Sequence, residues 1–187
     1  MSKRGNLIIY SGPSGVGKGT VRKELFKLDD LHLKYSISMT TRKPREGELE
    51  GIDYFFVSRD VFERAIENDE LLEYAEFVGN YYGTPKAYVD SLLNQGFNVM
   101  LEIEIEGAKK VMEKCPDAIS IFLMPPSFDA LEARIRGRRT EEEEIVQMRL
   151  SKARQEMNLQ DKYQYVVVND SVETAKEEIA KIIRKYA

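Results

Sequence analysis

Gly12-Pro13-Ser14-Gly15-Val16-Gly17-Lys18-Gly19-Thr20 is the stretch on which the reading of this chain turns. It follows the apolar run Leu7-Ile8-Ile9-Tyr10 and precedes apolar residues at helical spacing, Val21, Leu25 and Leu28. The glycines therefore sit between a strand and a helix, the context that a G-x-x-x-x-G-K phosphate cradle requires. Glycines there let the backbone press against an anion. Successive N–H groups and the helix N-terminus then point at phosphates, and Lys18 adds a point charge.

The loop departs from the common G-K-[ST] ending. Gly19 occupies the position whose hydroxyl would ligate Mg²⁺, and the hydroxyl arrives one residue later at Thr20. The expected Mg²⁺ is then held mainly by ATP phosphate oxygens and water. This ending is characteristic of small nucleotide kinases more than of GTPases or motor ATPases.

Composition limits what surrounds the loop. The chain has 187 residues, 42% hydrophobic and 32% charged, enough for one sizeable core with room for small inserted lobes. A net charge of −4 argues against a general nucleic-acid surface, so any basic cluster is read as a local anion site. Cys115 is the single cysteine and His32 the single histidine, which excludes an intrachain disulfide framework and a Cys/His zinc site. The apolar stretch after the basic Met1-Ser2-Lys3-Arg4 ends at Ser11-Gly12, too short for a signal segment, and no run approaches a membrane span. A cytoplasmic protein with no membrane and no nucleic-acid partner is expected.

Beyond the first helix, Tyr35-Ser36-Ile37-Ser38 reads as a short strand and Met39 to Glu48 as a polar, basic loop. Asp53 to Val57 reads as strand, Asp60-x-x-Glu63 as a capping box, and Leu71 to Val78 as strand closed by a Gly79-Asn80 turn. A strand-rich lobe over 35–84 follows. Thr84-Pro85 reads as a hydroxyl cap with proline at the first helical position, opening a helix that carries Tyr88 and Leu92 and ends at Gly96. Phe97 to Leu101, Ala118 to Met124 and Tyr165 to Val168 are further strands. Helices are expected with Ala108, Val111 and Met112, around Phe128 to Ile135, from Thr140 with a Thr140-x-x-Glu143 capping box, and with Val172, Ala175, Ile179, Ile182 and Ile183 on its buried stripe. Alternating strands and helices imply an α/β fold with a parallel sheet, its ligands at the carboxyl ends of the strands.

Taken together, several segments carry a resemblance to one family. They are Gly12 to Lys18, Ser38 to Glu48, Gly51 to Tyr54, Glu73 to Thr84, Leu101 to Glu104, Arg134 to Glu141, Arg149 and Val168-Asn169-Asp170. The chain resembles the bacterial guanylate kinases over nearly its full length. The resemblance implies a P-loop nucleoside-monophosphate-kinase fold: a core of 1–34, 85–125 and 158–187, an inserted GMP-binding lobe of 35–84, and a mobile lid of 126–157. The implied reaction moves the γ-phosphoryl group of ATP to GMP, with Mg²⁺, giving ADP and GDP in purine nucleotide metabolism and GMP recycling. ATP and GMP or dGMP are the implied partners of a monomer or weak homo-oligomer.

The same resemblance puts Arg42, Arg45, Tyr54 and Tyr82 on the GMP phosphate and Ser38, Glu73 and Thr84 on guanine, with Glu48 and Glu102 also on the GMP side. A phosphate dianion suits guanidinium forks and phenolic donors. Guanine presents adjacent N1–H and N2–H donors that one carboxylate accepts together, whereas adenine N1 is a lone pair that repels it. On the ATP side stand Gly12, Pro13, Ser14, Gly15, Val16, Gly17, Lys18, Gly19, Thr20, Arg134, Arg138 and Asn169. Lys18, Arg42, Arg138 and Arg149 are expected to stabilise the transferring group. Thr20 and Glu102 reach the metal only indirectly. Glu102 and Glu104 stand where many members have aspartate, Glu106 replaces a frequent glutamine, and Arg139 adds a charge to the lid turn. A scaffold-type binding module would lack the phosphate loop or the lid, and a phosphorylated-sugar kinase on the same core would not need Glu73.

Overall fold

The computed structural model describes residues 3–137 and 141–187. β1 (Leu7–Ser11) is buried along its length, with Leu7 and Ile9 in one apolar cluster and Ile8 and Tyr10 in another. Burial on both faces is why the strand reads as a continuous apolar run. It is the central strand of a five-stranded sheet, between β7 (Asn98–Glu102) and β8 (Ile119–Met124), with β2 (Leu33–Tyr35) and β9 (Tyr165–Val168) at the edges. Every pairing in it is parallel. The phosphate loop leaves the C-terminal end of β1, where strands on either side diverge, which is the ligand-binding end of such a sheet.

Helices cover both faces. α1 (Lys18–Leu25), α5 (Phe128–Arg136), α6 (Glu143–Met157) and α7 (Val172–Arg184) pack on the side of Ile8 and Tyr10. α3 (Lys86–Asn94) and α4 (Ile105–Lys114) pack on the side of Leu7 and Ile9. The inserted lobe has its own four-stranded sheet, in the order β4 (Phe55–Phe56), β3 (Met39–Thr40), β6 (Asn80–Pro85), β5 (Leu71–Phe77). With α2 (Arg59–Glu67) it closes a small core of Met39, Phe62, Ala65 and Leu71.

Several local expectations shift. The strand expected over Tyr35 to Ser38 splits, because Tyr35 pairs with Met100 in the main sheet while Met39 pairs with Phe55 and Gly83 in the lobe. Ser58, not Asp60, caps α2 by accepting from the Val61 N–H, and Glu63 pairs with Arg59 instead. Thr84 and Pro85 end β6, Pro85 rather than Thr84 is the N-cap of α3, and the Thr84 hydroxyl is used elsewhere. The β5–β6 turn is Val78-Gly79, one residue earlier than expected; both have positive φ (49° and 74°), and Asn80 already pairs with Phe77. α6 opens at Glu143 after Glu142, and the capping box expected from Thr140 lies outside the described residues.

α5 and α6 are seated on the core. Leu131 and Ile135 of α5 and Val146, Leu150 and Ala153 of α6 share one cluster with Val16 of the phosphate loop.

Candidate active site

The phosphate loop is shaped by the glycine before Lys18. Gly17 is left-handed, with φ 98°, and a Cβ there would lie 2.9 Å from Asn169 Nδ2. A side chain would meet both backbone strain and a collision, so glycine lets α1 begin at Lys18 with its free N–H groups toward the loop's concavity. Lys18 Nζ donates to the Gly12 carbonyl at 2.7 Å and the Pro13 carbonyl at 3.3 Å. Burial holds its pKa below the ordinary lysine value, against the opposing pull of Glu104, Glu102 and Glu156. Among the described residues, the hydrogen-bond partners of this half-buried ammonium are both carbonyl oxygens. Gly19 and Thr20 follow on the first turn of α1, with the Thr20 side chain exposed.

α6 touches this loop directly. Arg149 Nη2 donates to the Ser14 hydroxyl at 3.2 Å, and its Nη1 pairs with Glu141 at 2.7 Å. Arg134 donates to the Val16 carbonyl at 3.1 Å and the Asn169 carbonyl at 3.0 Å, so it braces the loop against the strand end after β9. Asn169 is buried, and its Nδ2 donates to the Val16 carbonyl at 2.8 Å. Its Oδ1 is buried with no partner among the described residues. Arg138 lies outside the described residues.

On the lobe, Arg42 is held by a two-pronged ion pair to Glu48, 2.9 Å for each prong, and lies 5.4 Å from the centre of the Tyr54 ring. Tyr54 and Tyr82 are edge to face, 6.1 Å between ring centres. The Glu48 carboxylate also accepts from the Arg45 N–H at 2.8 Å, and the Arg42 guanidinium with this N–H lowers its pKa to about 2. Glu48 was expected among the groups touching GMP. Its oxygens accept from the Arg42 guanidinium and the Arg45 N–H. Arg45 points its side chain to solvent. Ser38, just before β3, is half-buried and its carbonyl accepts from the Phe55 N–H.

Glu73 stands at an irregularity. Leu71 pairs with Pro85 but Tyr74 pairs with Gly83, so β5 carries one residue more than β6 opposite Thr84. Such a bulge re-aims a side chain. Here it lets consecutive leucines bury in different cores, Leu71 in the lobe and Leu72 in the main cluster, and sets Glu73 against Thr84. The Thr84 hydroxyl donates to Glu73 Oε1 at 2.7 Å. Burial raises the Glu73 pKa, opposed by the Thr84 hydrogen bond and the charge of Lys110.

Glu102 was also expected on the GMP side. It pairs with Arg22 at 2.5 Å, and Arg22 lies over the Tyr35 ring at 4.7 Å. Arg22 escaped the sequence reading, although its position one helical turn after Lys18 places both on one face of α1. Glu156 escaped it too. This α6 carboxylate is buried, with one oxygen unpartnered among the described residues, while Lys152 stands 3.6 Å from it and 3.8 Å from Glu104. The signal was an acidic residue three positions beyond Ala153 on the buried face.

Among the described residues, no group of three or more His, Cys, Asp or Glu side chains could hold a metal ion. No described helix is long and apolar enough to cross a membrane.

A parallel sheet with a phosphate loop after its central strand, an arginine- and tyrosine-bearing lobe, and lid helices on the loop define a P-loop nucleoside monophosphate kinase. Residues 4–186 match the family model described as Guanylate kinase. A guanylate kinase of Bacillus cereus is 57% identical over 97% of this chain and 89% of its own length. One of Streptococcus thermophilus is 54% identical over 98% and 88%. A Mycoplasma mycoides guanylate kinase is 57% identical, and the chain spans 61% of that longer relative. Among solved structures, guanylate kinase from Anaplasma phagocytophilum superposes with a TM-score of 0.74 at 35% identity, covering 99% of this chain and 87% of the other. A shikimate kinase from Bacteroides thetaiotaomicron, at 14% identity and a TM-score of 0.51, shares the fold. The chain belongs to the guanylate kinase family, enzymes that transfer a phosphoryl group from ATP to GMP.

Proposed function

We propose that this chain carries out the family reaction with the lobe as acceptor site and the phosphate loop, lid and Asn169 as donor site. The observation that carries the reading is Glu73: a carboxylate raised in pKa by burial, pinned through one oxygen by Thr84, on the same lobe sheet as the Tyr82 that neighbours the Arg42 fork. Its acceptor capacity matches the paired N1–H and N2–H of guanine. Arg42, aligned by Glu48, joins Arg45, Tyr54 and Tyr82 on the GMP phosphate, and Ser38 and Thr84 complete the guanine contacts.

On the donor side the loop amides and Lys18 receive the ATP phosphates. Lys18 gives up its carbonyl partners for phosphate oxygens, and Arg138 and Arg149 neutralise the charge that develops on the transferred group. The unpartnered Oδ1 of Asn169 is an acceptor for the amino group of adenine, and Arg134 keeps that edge fixed to the loop. Mg²⁺ would be held mainly by ATP oxygens and water, with Thr20 and the Arg22-paired Glu102 acting on it only indirectly, and would there neutralise phosphate charge. The protein's share is in-line positioning, exclusion of water and fixed positive charge, so no general base is required. The enzyme works in the cytoplasm as a monomer or weak homo-oligomer. ADP release with GMP, dGMP, AMP, UMP and ribose 1,5-bisphosphate as acceptors tests the assignment. Turnover with GMP and dGMP alone is expected, and equal turnover with AMP or the sugar phosphate overturns the acceptor reading.

A further inference from the structure

We infer that Gly107 is a specificity-determining positioning residue: the side chain it lacks leaves the space in which the Glu73 carboxylate sits, and so aims that carboxylate at the acceptor base. The inference rests on the reading of Glu73 as the group that recognises guanine. Gly107 is buried in the first turn of α4. A Cβ built there would lie 2.9 Å from Glu73 Oε2, 3.3 Å from its Cδ and 3.5 Å from its Cγ, and these are the three nearest atoms. Ordinary contact begins near 3.4 Å. The carboxylate therefore occupies the volume of the missing methyl group.

The helix cannot simply move away. Lys110 donates to the Tyr74 carbonyl at 3.2 Å, and Lys114 donates to the Leu71 carbonyl at 3.0 Å and to Asp69 at 3.1 Å. Residues 107, 110 and 114 form one stripe of α4, and β5 is the edge strand of the lobe sheet. The two lysines thus fasten the helix to the unpaired edge of β5 on either side of Glu73. Thr84 holds Oε1 from the opposite strand. Between these fixed points only the carboxylate can yield, and any yield turns Oε2 away from its present line. Glycine in a helix is disfavoured relative to alanine, so the space is obtained against local propensity.

The test is a double-mutant cycle of Gly107→Ala and Glu73→Ala, read as KM and kcat with GMP, with inosine monophosphate, which lacks the 2-amino donor, and with ATP. For G107A, misplacement of the carboxylate should raise the GMP KM by about 10- to 100-fold. The ATP KM should stay as in wild type, and the preference for GMP over inosine monophosphate should shrink. Its melting temperature should not fall, since alanine favours the helix and the clashing atoms end a side chain. In the E73A background, G107A should have no further effect on GMP. An unchanged GMP KM in G107A, or the same penalty with and without Glu73, overturns the inference. If E73A alone leaves GMP kinetics intact, the guanine role of Glu73 fails and the inference with it; if E73A is impaired while G107A is normal, only the inference fails. Should G107A not fold, folding of the double variant supports the contact and failure of both overturns it.

Discussion

Replacing Glu73 by glutamine should separate recognition from stability. The carboxylate offers guanine two acceptor oxygens, one of them also accepting from Thr84 at 2.7 Å. An amide keeps only one oxygen, so whichever way it is turned, one guanine donor faces an N–H. Loss of a charge-assisted hydrogen bond costs about 1.5–3 kcal/mol and a buried donor left unpaired adds about 1–3 kcal/mol. Together these amount to roughly two to four orders of magnitude in kcat/KM for GMP, at about 1.4 kcal/mol per tenfold. Adenine N1 accepts a hydrogen bond, so AMP should gain while GMP loses. Stability should move the other way. Burial holds the Glu73 pKa above its ordinary 4.5, so ionisation opposes folding progressively as pH rises from that value through the raised one, and the penalty is complete above it. Glutamine cannot ionise. E73Q should therefore melt higher than wild type at pH 8, with the difference narrowing toward pH 4. Coupled ADP-release assays with GMP and AMP, beside thermal melts at both pH values, read both effects. A GMP-to-AMP ratio unchanged from wild type in a folded E73Q protein would refute the argument.

Lys18→Ala should leave the fold intact and lower phosphoryl transfer by at least about a hundredfold, because a charge aimed at the moving group is lost; single-turnover ADP formation near wild type contradicts this. Arg45→Ala should mainly raise the KM for GMP, whereas Arg138→Ala should mainly lower kcat, the mark of a contact strongest in the transition state. A bisubstrate analogue joining the two nucleosides should reduce the radius of gyration as anions draw the arginine-bearing lobe toward the loop; an unchanged radius, with equal kinetic effects from both arginines, rules out this division. For Glu48, a carboxyl lowered from 4.5 to about 2 stabilises the fold above pH 4.5 and loses that contribution as pH falls toward 2. Glu48→Gln should thus raise the GMP KM and lower the melting temperature at pH 7, and the melting difference should disappear on acidification; a constant difference across that range counts against the pair. Val78 is 80% exposed at φ 49°, a β-branched residue in the left-handed region, so Val78→Asn should stabilise by about 1 kcal/mol in urea unfolding, and a loss of stability would show that the turn does not carry strain.

The main strands and helices were legible because their signals are local and periodic. β1, β7 and β8 are near-continuous apolar runs since both their faces are covered, β9 is an apolar edge strand whose Val167 alone is buried, and α7 shows its stripe at Ala175, Ile179, Ile182 and Ile183. The expectations that shifted lay at boundaries where a polar residue has two possible uses. Thr84 has the composition of a helix cap, yet its hydroxyl serves Glu73 across the hairpin. Ser58 and Asp60 compete for one cap, and the backbone turn decides for Ser58.

What the sequence determined by itself was the phosphate loop: spacing alone brings Gly12 to Thr20 into one turn between a strand and a helix, because the groups such a loop presents are consecutive backbone amides. The neighbours of the lobe's side chains were decided only by the tertiary structure. Glu73 faces Thr84 because β5 holds one residue more than β6, a mismatch visible only when two strands distant in sequence are paired. Glu48 and Glu102 are carboxylates of similar prospects on the page, and only folding gives each its arginine, Arg42 and Arg22. Gly107 had no signal at all, since the meaning of an absent side chain depends on which atoms, brought from another strand, fill the space it leaves.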